Sequence, residues 1–203
     1  MTLSSDSRPA GIFGGTFDPI HRGHVMVAEQ SARLLGLGEL LLIPAGRPPH
    51  RAAPEASPED RLAMVELALE GHELLRPSDL EVRRPGPSYT VDTIRDLRAA
   101  APGRRWTLLL GWDAAHEFGT WHDAPEIVSL VEMAVFNRSG EETPTAERLL
   151  AAGLPADTRL LTVGSPELSA DEIRARLTAG KDVADDLVPG VWDYIRARHL
   201  YGV

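Results

Sequence analysis

Short apolar runs alternate along this chain with stretches whose apolar residues recur every three or four positions, and that alternation limits the folds open to it. The runs are residues 9–14, Leu40-Leu41-Leu42-Ile43, Trp106 to Leu110, Val131 to Phe136 and Leu160 to Val163, and each reads as a short buried strand. Helical spacing follows them. Val25, Ala28, Ala32 and Leu35 form one face, stopped by Gly36 and Gly38; Leu62, Val65 and Leu69 form another; Val91, Ile94 and Leu97 follow Ser88. Phe118, Trp121 and Ile127 lie in short helical pieces, and longer helices are expected from Ser169 to Ala179 and from Val188 to about Arg198. Leu74 through Val82 reads as one more extended segment. Strands joined through helices make βαβ units, so the expected class is α/β, with a doubly wound parallel sheet covered on both faces. Ligands of such a sheet sit beyond the carboxyl ends of its strands near the switch point, which gathers Gly14, Gly111 and the loop after Ile43.

A length of 203 residues suffices for one sizeable core, and a single domain over 1–203 is expected. No apolar run approaches a membrane span, and the first nine residues lack the pattern of a secretory signal; a cytoplasmic location without a membrane partner is the expectation. The absence of cysteine excludes disulfides, thiolate metal sites and cysteine nucleophiles together. A net charge of −9 argues against a nucleic-acid partner, because binding a phosphate backbone needs a basic stripe. Lys181 is the single lysine among 21 basic residues, so arginine is expected wherever a relative carries lysine.

The chemistry starts in the stretch Gly11-Ile12-Phe13-Gly14-Gly15-Thr16-Phe17-Asp18-Pro19-Ile20-His21-Arg22-Gly23-His24, a strand running into glycines and then two histidines three residues apart. At that spacing His21 and His24 point the same way from a helix start, where unpaired N–H groups and the positive end of the macrodipole favour an anion. Gly14 and Gly15 let backbone approach a ligand, Pro19 fixes the entry turn, and Gly23 removes the side chain between the histidines. Two structural histidines at a turn are the plainer alternative. The combination favours a site for a polyphosphate, and the glycines lack the G-x-G-x-x-G spacing of redox dinucleotide folds.

Four other groups stand at element ends, each with two readings. Pro44 to Arg51 leaves the second strand with His50 and Arg51, which either face a nucleotide or belong to a solvated connector. Ser88 and Thr90 either cap a helix or leave its amides open to a substrate carboxylate. Trp121, beyond Gly111-Trp112-Asp113, is core or a platform for a flat ring. Ser169 and Glu172 form the pattern of a capping box, which leaves Arg174 and Arg176 for a solvated face or for a polyphosphate. Arg138 to Pro144 reads as a surface loop, and no metal cage is visible.

The stretch ending in His21 and His24 resembles the H-x-G-H signature of the nucleotidylyltransferase superfamily, whose fold is Rossmann-like. Taken over nearly the whole chain, the pieces resemble the bacterial nicotinate-nucleotide adenylyltransferases. Their Pro-Pro-His-Lys loop is matched by Pro48-Pro49-His50 with Arg51 for lysine, and their Ser-Tyr-Thr-x-Asp-Thr by Ser88 to Thr93. Gly111, Asp113 and Trp121 match a Gly-x-Asp followed by tryptophan, and Tyr194-Ile195 and Leu200-Tyr201 match the closing motif. The late motif departs: Ser169, Ile173 and Arg174 carry over, but Asp171 stands where the family has a hydroxyl. A carboxylate there repels a triphosphate if it faces the site.

The resemblance implies transfer of an adenylyl group from ATP to nicotinate mononucleotide, with pyrophosphate leaving and Mg²⁺ arriving with ATP. It implies that His21, His24 and Arg174 are the catalytic donors, and that Gly14, Gly15, Thr16, Phe17, Gly23, Gly111, Asp113, Arg138, Ser169 and Ile173 bind ATP. His50, Arg51, Ser88, Tyr89, Thr90 and Trp121 are implied on the mononucleotide side. A superfamily enzyme using nicotinamide mononucleotide or phosphopantetheine, or a non-catalytic nucleotide sensor, keeps the histidine motif and stays open. So does assembly into a homo-oligomer.

Overall fold

The computed structural model describes residues 8–49, 53–138 and 144–203, with the Arg138 side chain outside that description. Its strands are β1 (Ala10–Gly15), β2 (Glu39–Pro44), β3 (Leu75–Pro77), β4 (Trp106–Gly111), β5 (Glu132–Arg138) and β6 (Arg159–Val163). All are parallel, in the order β3-β2-β1-β4-β5-β6. From β1 the chain winds one way through β2 and β3, then returns beside β1 as β4 and winds the other way. The switch point therefore lies between β1 and β4, where Ile12 pairs with Leu108 and both strands end in glycine. This is the doubly wound Rossmann-like arrangement.

Alternation along each strand splits the apolar residues between two cores. Phe13, Leu40, Leu42 and Leu109 face one layer, formed by α1 (Arg22–Leu35), α2 (Pro58–Ala68), α8 (Ala170–Thr178) and α9 (Pro189–Ala197). Ile12, Leu41, Ile43, Leu108 and Leu110 face the other, with α4 (Thr90–Ala100) and α6 (Ala124–Leu130). Each fully buried Leu or Ile contributes roughly 1.5–3 kcal/mol by burial. The rigid platform these layers provide is what fixes the strand ends.

Short helices complete the chain: α3 (Leu80–Arg83), α5 (Trp112–Ala115) and α7 (Ala146–Ala151). The extended reading of Leu74 through Val82 fails after Pro77, because residues 80–83 form the turn α3. An Asp79–Arg83 ion pair of 2.7 Å closes that turn, which carries Glu81 inward to accept a 2.7 Å hydrogen bond from Thr93. Burial pushes the Glu81 carboxyl up, against the hydrogen bonds it accepts. A Cβ on Gly46 would stand 2.2 Å from the Glu81 carbonyl oxygen, so the loop after β2 can pack on α3 only with glycine there. Among the described residues no helix is long and apolar enough to cross a membrane.

Candidate active site

The first turn of α1 is closed by its own two histidines. His21 is the N-cap in extended conformation; its Nδ1 accepts from the His24 amide, and the His24 Nδ1 accepts from the His21 amide, each at 3.3 Å. The rings stack with centroids 3.7 Å apart. A nitrogen that accepts an N–H bond carries no hydrogen, so in each neutral ring the proton is on Nε2. The stacked pair thus carries two Nε2–H donors. The amides expected to await an anion are in part already engaged, since His24 is capped and Arg22 donates to Asp186 O at 3.0 Å. Packing is tight at Gly23: a Cβ there would stand 3.1 Å from the His21 ring and 3.2 Å from Ser165 Oγ, so either side chain would have to shift slightly.

A relay of edge-on aromatic contacts seats His24. Phe136 meets Phe13 at 5.9 Å, Phe13 meets Phe17 at 5.8 Å, and Phe17 meets the His24 ring at 5.2 Å. Phe17 is buried with φ 51, so its ring supports the histidine while its backbone shapes the turn. Gly14 is exposed at the end of β1 with open space where a Cβ would be.

Beneath this turn lies Arg61, fully buried on α2, whose guanidinium binds backbone carbonyls. It donates to Thr16 at 2.7 Å, to Ala45 at 2.6 Å, and to Gly46 and Ala56 at 3.3 Å each. Burial pulls it below the usual arginine range while Asp18 and other acids oppose that shift. The cation ties the turn after β1 to both ends of the loop after β2. Asp18 helps from the other side, with Oδ2 accepting from the Glu55 amide at 2.8 Å and Oδ1 from the Ala56 amide at 3.1 Å.

Arg174, on α8, comes to the same place. Its Nη1 donates to Asp18 O at 2.6 Å, Nε to Glu55 at 2.9 Å and Nη2 to Asp171 at 2.5 Å. Burial opposes the arginine's charge, and the Asp171 and Glu55 bonds outweigh it, so its pKa is raised. Asp171 is 85% exposed and spent on Arg174 rather than standing as a lone charge. The expected capping box at Ser169 is a correction: Ser169 is the N-cap with φ −121 but makes no side-chain cap bond, and Glu172 is exposed. The acidic first turn engages Arg174 instead. Ile173 is buried in the core beneath.

On the opposite face of the sheet, the loop after β2 meets the start of α4. Ser88 Oγ accepts from the Arg47 amide at 3.1 Å and the Ser88 amide donates to Arg47 O at 2.9 Å, so Ser88 fastens the loop rather than capping the helix. Tyr89 is the N-cap without a side-chain cap bond, Thr90 opens α4, and the Tyr89 ring lies 4.3 Å from that of His122. Trp121 is half-buried and packs on Phe118 at 5.6 Å, the core contact that one of its two readings expects. Gly111 ends β4, its missing Cβ making room for the Phe136 ring, and exposed Asp113 follows in α5. The backbone of Arg138 ends β5 at the same pole. His50 and Arg51 lie outside the described residues.

A cavity of about 700 Å³ at the amino ends of β4 to β6 is lined by Arg98, Arg104, Arg105 and Arg159 but lies at the wrong pole for this chemistry. Its cations are engaged: Arg98 with Leu130 O, Arg104 with Glu39, Arg105 with Glu132 and Arg159 with Leu34 O.

Residues 12–176 match the family model described as cytidylyltransferase-like. Proteins named "Probable nicotinate-nucleotide adenylyltransferase" from Synechococcus sp. (strain JA-3-3Ab) and Dehalococcoides mccartyi (strain ATCC BAA-2266 / KCTC 15142 / 195) are 40% and 39% identical to this chain. Each match covers 96% of this chain, and 95% and 98% of the relative. The chain belongs to the nicotinate-nucleotide adenylyltransferase family. Family membership makes it a nucleotidyltransferase of NAD biosynthesis. The fold agrees: a Plasmodium falciparum nicotinic acid mononucleotide adenylyltransferase solved with NaAD superimposes with a TM-score of 0.76 at 21% identity, covering 96% of this chain and 97% of that one.

Sequence reasoning passed over Asp18, Glu55, Arg61 and His122 as site residues. Asp18 was within reach as the acid inside the glycine–histidine stretch. Nothing local marks Arg61, whose partners are carbonyls up to 45 residues away.

Proposed function

We propose that this chain joins ATP and nicotinate mononucleotide into nicotinate adenine dinucleotide, releasing pyrophosphate. The observation that carries the proposal is the reciprocal histidine cap, which leaves the proton of each neutral ring on Nε2 beside a glycine-bounded turn at the sheet's switch point. The mononucleotide's phosphate oxygen attacks the α-phosphorus of ATP in line; the new P–O bond forms as the bond to the β-phosphate oxygen breaks. The attacking phosphate is already ionised near neutral pH, so no general base is needed. Catalysis rests on alignment and on donors aimed at developing charge.

His21 and His24 donate to the phosphates, and the backbone of Gly14 to Phe17 and Gly23 shapes the cradle over the Arg61 floor. Arg174 exchanges its exposed carboxylates for the departing pyrophosphate. Tyr89, Thr90 and Trp121 hold the nicotinate ring and its carboxylate, with Ser88 bracing the loop that carries His50 and Arg51. Gly111, Asp113 and Arg138 stand on the adenosine side, and Ser169 and Ile173 set the start of α8.

The residues fit a metal that comes with substrate. Asp18, the carboxylate in the turn, has both oxygens taken by amides, and no cluster of three metal-ligating side chains occurs among the described residues. Mg²⁺ on the ATP phosphates supplies charge neutralisation. Incubating the protein with MgATP and nicotinate mononucleotide, then separating the products, tests the proposal. Dinucleotide and pyrophosphate in equal amounts are expected; no dinucleotide, or a clear preference for nicotinamide mononucleotide or phosphopantetheine, overturns it.

A further inference from the structure

Arg174 has two kinds of acidic neighbour, and they differ in how readily a phosphate can replace them. Glu55 and Asp171 are 55% and 85% exposed, so their pairs with Arg174 are screened and exchangeable. Asp18 is different: its side chain is 5% exposed, and a guanidinium captured by a buried carboxylate is not readily given up. Yet the ion pair between them is long: Nη1 bonds the Asp18 carbonyl at 2.6 Å, while carboxylate Oδ2 stays 3.9 Å away.

Three donors hold that carboxylate off. Two are the Glu55 and Ala56 amides, and the third is the Tyr201 hydroxyl, which donates to Asp18 Oδ1 at 2.7 Å. Tyr201 is buried, and its backbone sits at φ 58 in the left-handed region, which a bulky residue adopts only where its surroundings insist. Burial and the Asp18 contact push its phenol far up, so it remains a donor. Without it, Oδ1 keeps one amide at 3.1 Å in a buried setting, and Arg174, already 3.9 Å from the other oxygen of the same carboxylate, is a cation that a turn of the carboxylate would bring closer.

We propose that Tyr201 is a positioning residue for the phosphate site: by occupying Asp18 it keeps Arg174 on exchangeable partners and available to pyrophosphate. The inference rests on the adenylyl-transfer reading for its consequence in turnover, but its binding consequence can be measured separately.

Titration with inorganic pyrophosphate in the presence of Mg²⁺ is the test. Tyr201→Phe removes one oxygen and should weaken pyrophosphate binding about tenfold and lower kcat by a similar factor, with KM for the mononucleotide little changed. In an Arg174→Gln background the same substitution should change pyrophosphate binding less than twofold, because the residue it acts through is gone. Equal losses in both backgrounds mark a merely structural tyrosine and overturn the proposal, as does undiminished binding by Tyr201→Phe. Should Tyr201→Phe fold poorly in a thermal melt, Asp18→Asn reads the contact from the other side. Removing the buried charge should tighten pyrophosphate at least twofold, and weaker binding refutes the competition. Wild-type protein that binds pyrophosphate without making dinucleotide refutes the transfer reading alone; failure to bind pyrophosphate refutes the role of Tyr201.

Discussion

The N-termini of α1 and α8 meet at the turn holding Asp18 and are closed in opposite ways. α1 is closed by its own histidines, each ring accepting the other's amide, whereas α8 has a serine in the N-cap position that makes no cap bond and an acidic first turn engaged with Arg174. The sequence pattern suggests the reverse, with open amides at α1 and a capping box at α8. What the contrast teaches is that a cap can be a functional device. At α1 the capping bonds fix the histidine tautomer, and at α8 the first turn binds Arg174 in place of a serine cap.

The largest effect should come from separating the two jobs of His24. In His24→Asn the amide oxygen can take the place of Nδ1 in the cap but no donor remains where Nε2 was. We expect kcat to fall about 10²-fold or more, with a smaller change in ATP affinity and a denaturation midpoint near wild type. Steady-state kinetics beside ATP titration checks it; equal losses in binding and turnover would make His24 a ground-state ligand. Arg174→Gln comes next, with ATP binding weakened roughly tenfold, the scale of a charge-assisted hydrogen bond lost. Calorimetric titration at matched ionic strength measures it, and unaltered affinity would leave α8 without a phosphate role.

Stability should divide the helix starts further. Ser57 caps α2 through a 3.0 Å bond from the Asp60 amide, and Ser57→Ala should cost about 1 kcal/mol in urea unfolding. Ser169→Ala should cost only a few tenths, since there is no cap bond to lose. Similar costs would mean that the two serines cap their helices alike. Asp60 adds a pH signature. Burial pushes its carboxyl up, but bonds from Ser57 and Tyr194 and the charge of Arg198 outweigh that, so its folded pKa lies below its unfolded one. Its stabilisation is therefore complete above about pH 5 and is lost as pH falls through the depressed value. Asp60→Asn should lower stability at neutral pH and flatten the acid limb of the stability curve; an unchanged limb would show that the carboxyl gains nothing in the fold.

The smallest effect belongs to Asp171→Thr. With the carboxylate paired to Arg174 and largely exposed, its removal spares ATP one exchange and should tighten binding roughly two- to fivefold, within the range of a surface ion pair. Titrations of both proteins at two salt concentrations test it. Weaker binding would mean that Asp171 holds Arg174 in its productive place.

Sequence pattern carried the fold because the signals were local and repeated. Leu40 to Ile43 and Trp106 to Leu110 admit little but buried strands, and Val25, Ala28, Ala32 and Leu35 all lie inside. Leu80 to Val82 misled because its alternation suits a strand, while the Asp79–Arg83 pair and the buried Glu81 select a helical turn. The site divided along the same line. Histidines three apart announce themselves, but Arg61 collecting carbonyls from 16, 45, 46 and 56 depends on contacts that exist only once the sheet is wound.

The tautomer lock at α1 also sets terms for inhibitor chemistry. With each Nδ1 engaged as an acceptor, the other nitrogen of each neutral imidazole is a donor, so a competitor that engages it has to bring lone pairs and no protons. A sulfonate or a fluorinated phosphonate meets that demand across a wide pH range. An ammonium group, or a boronic acid with its hydroxyl hydrogens, sets donor against donor and should be refused however well its shape fits.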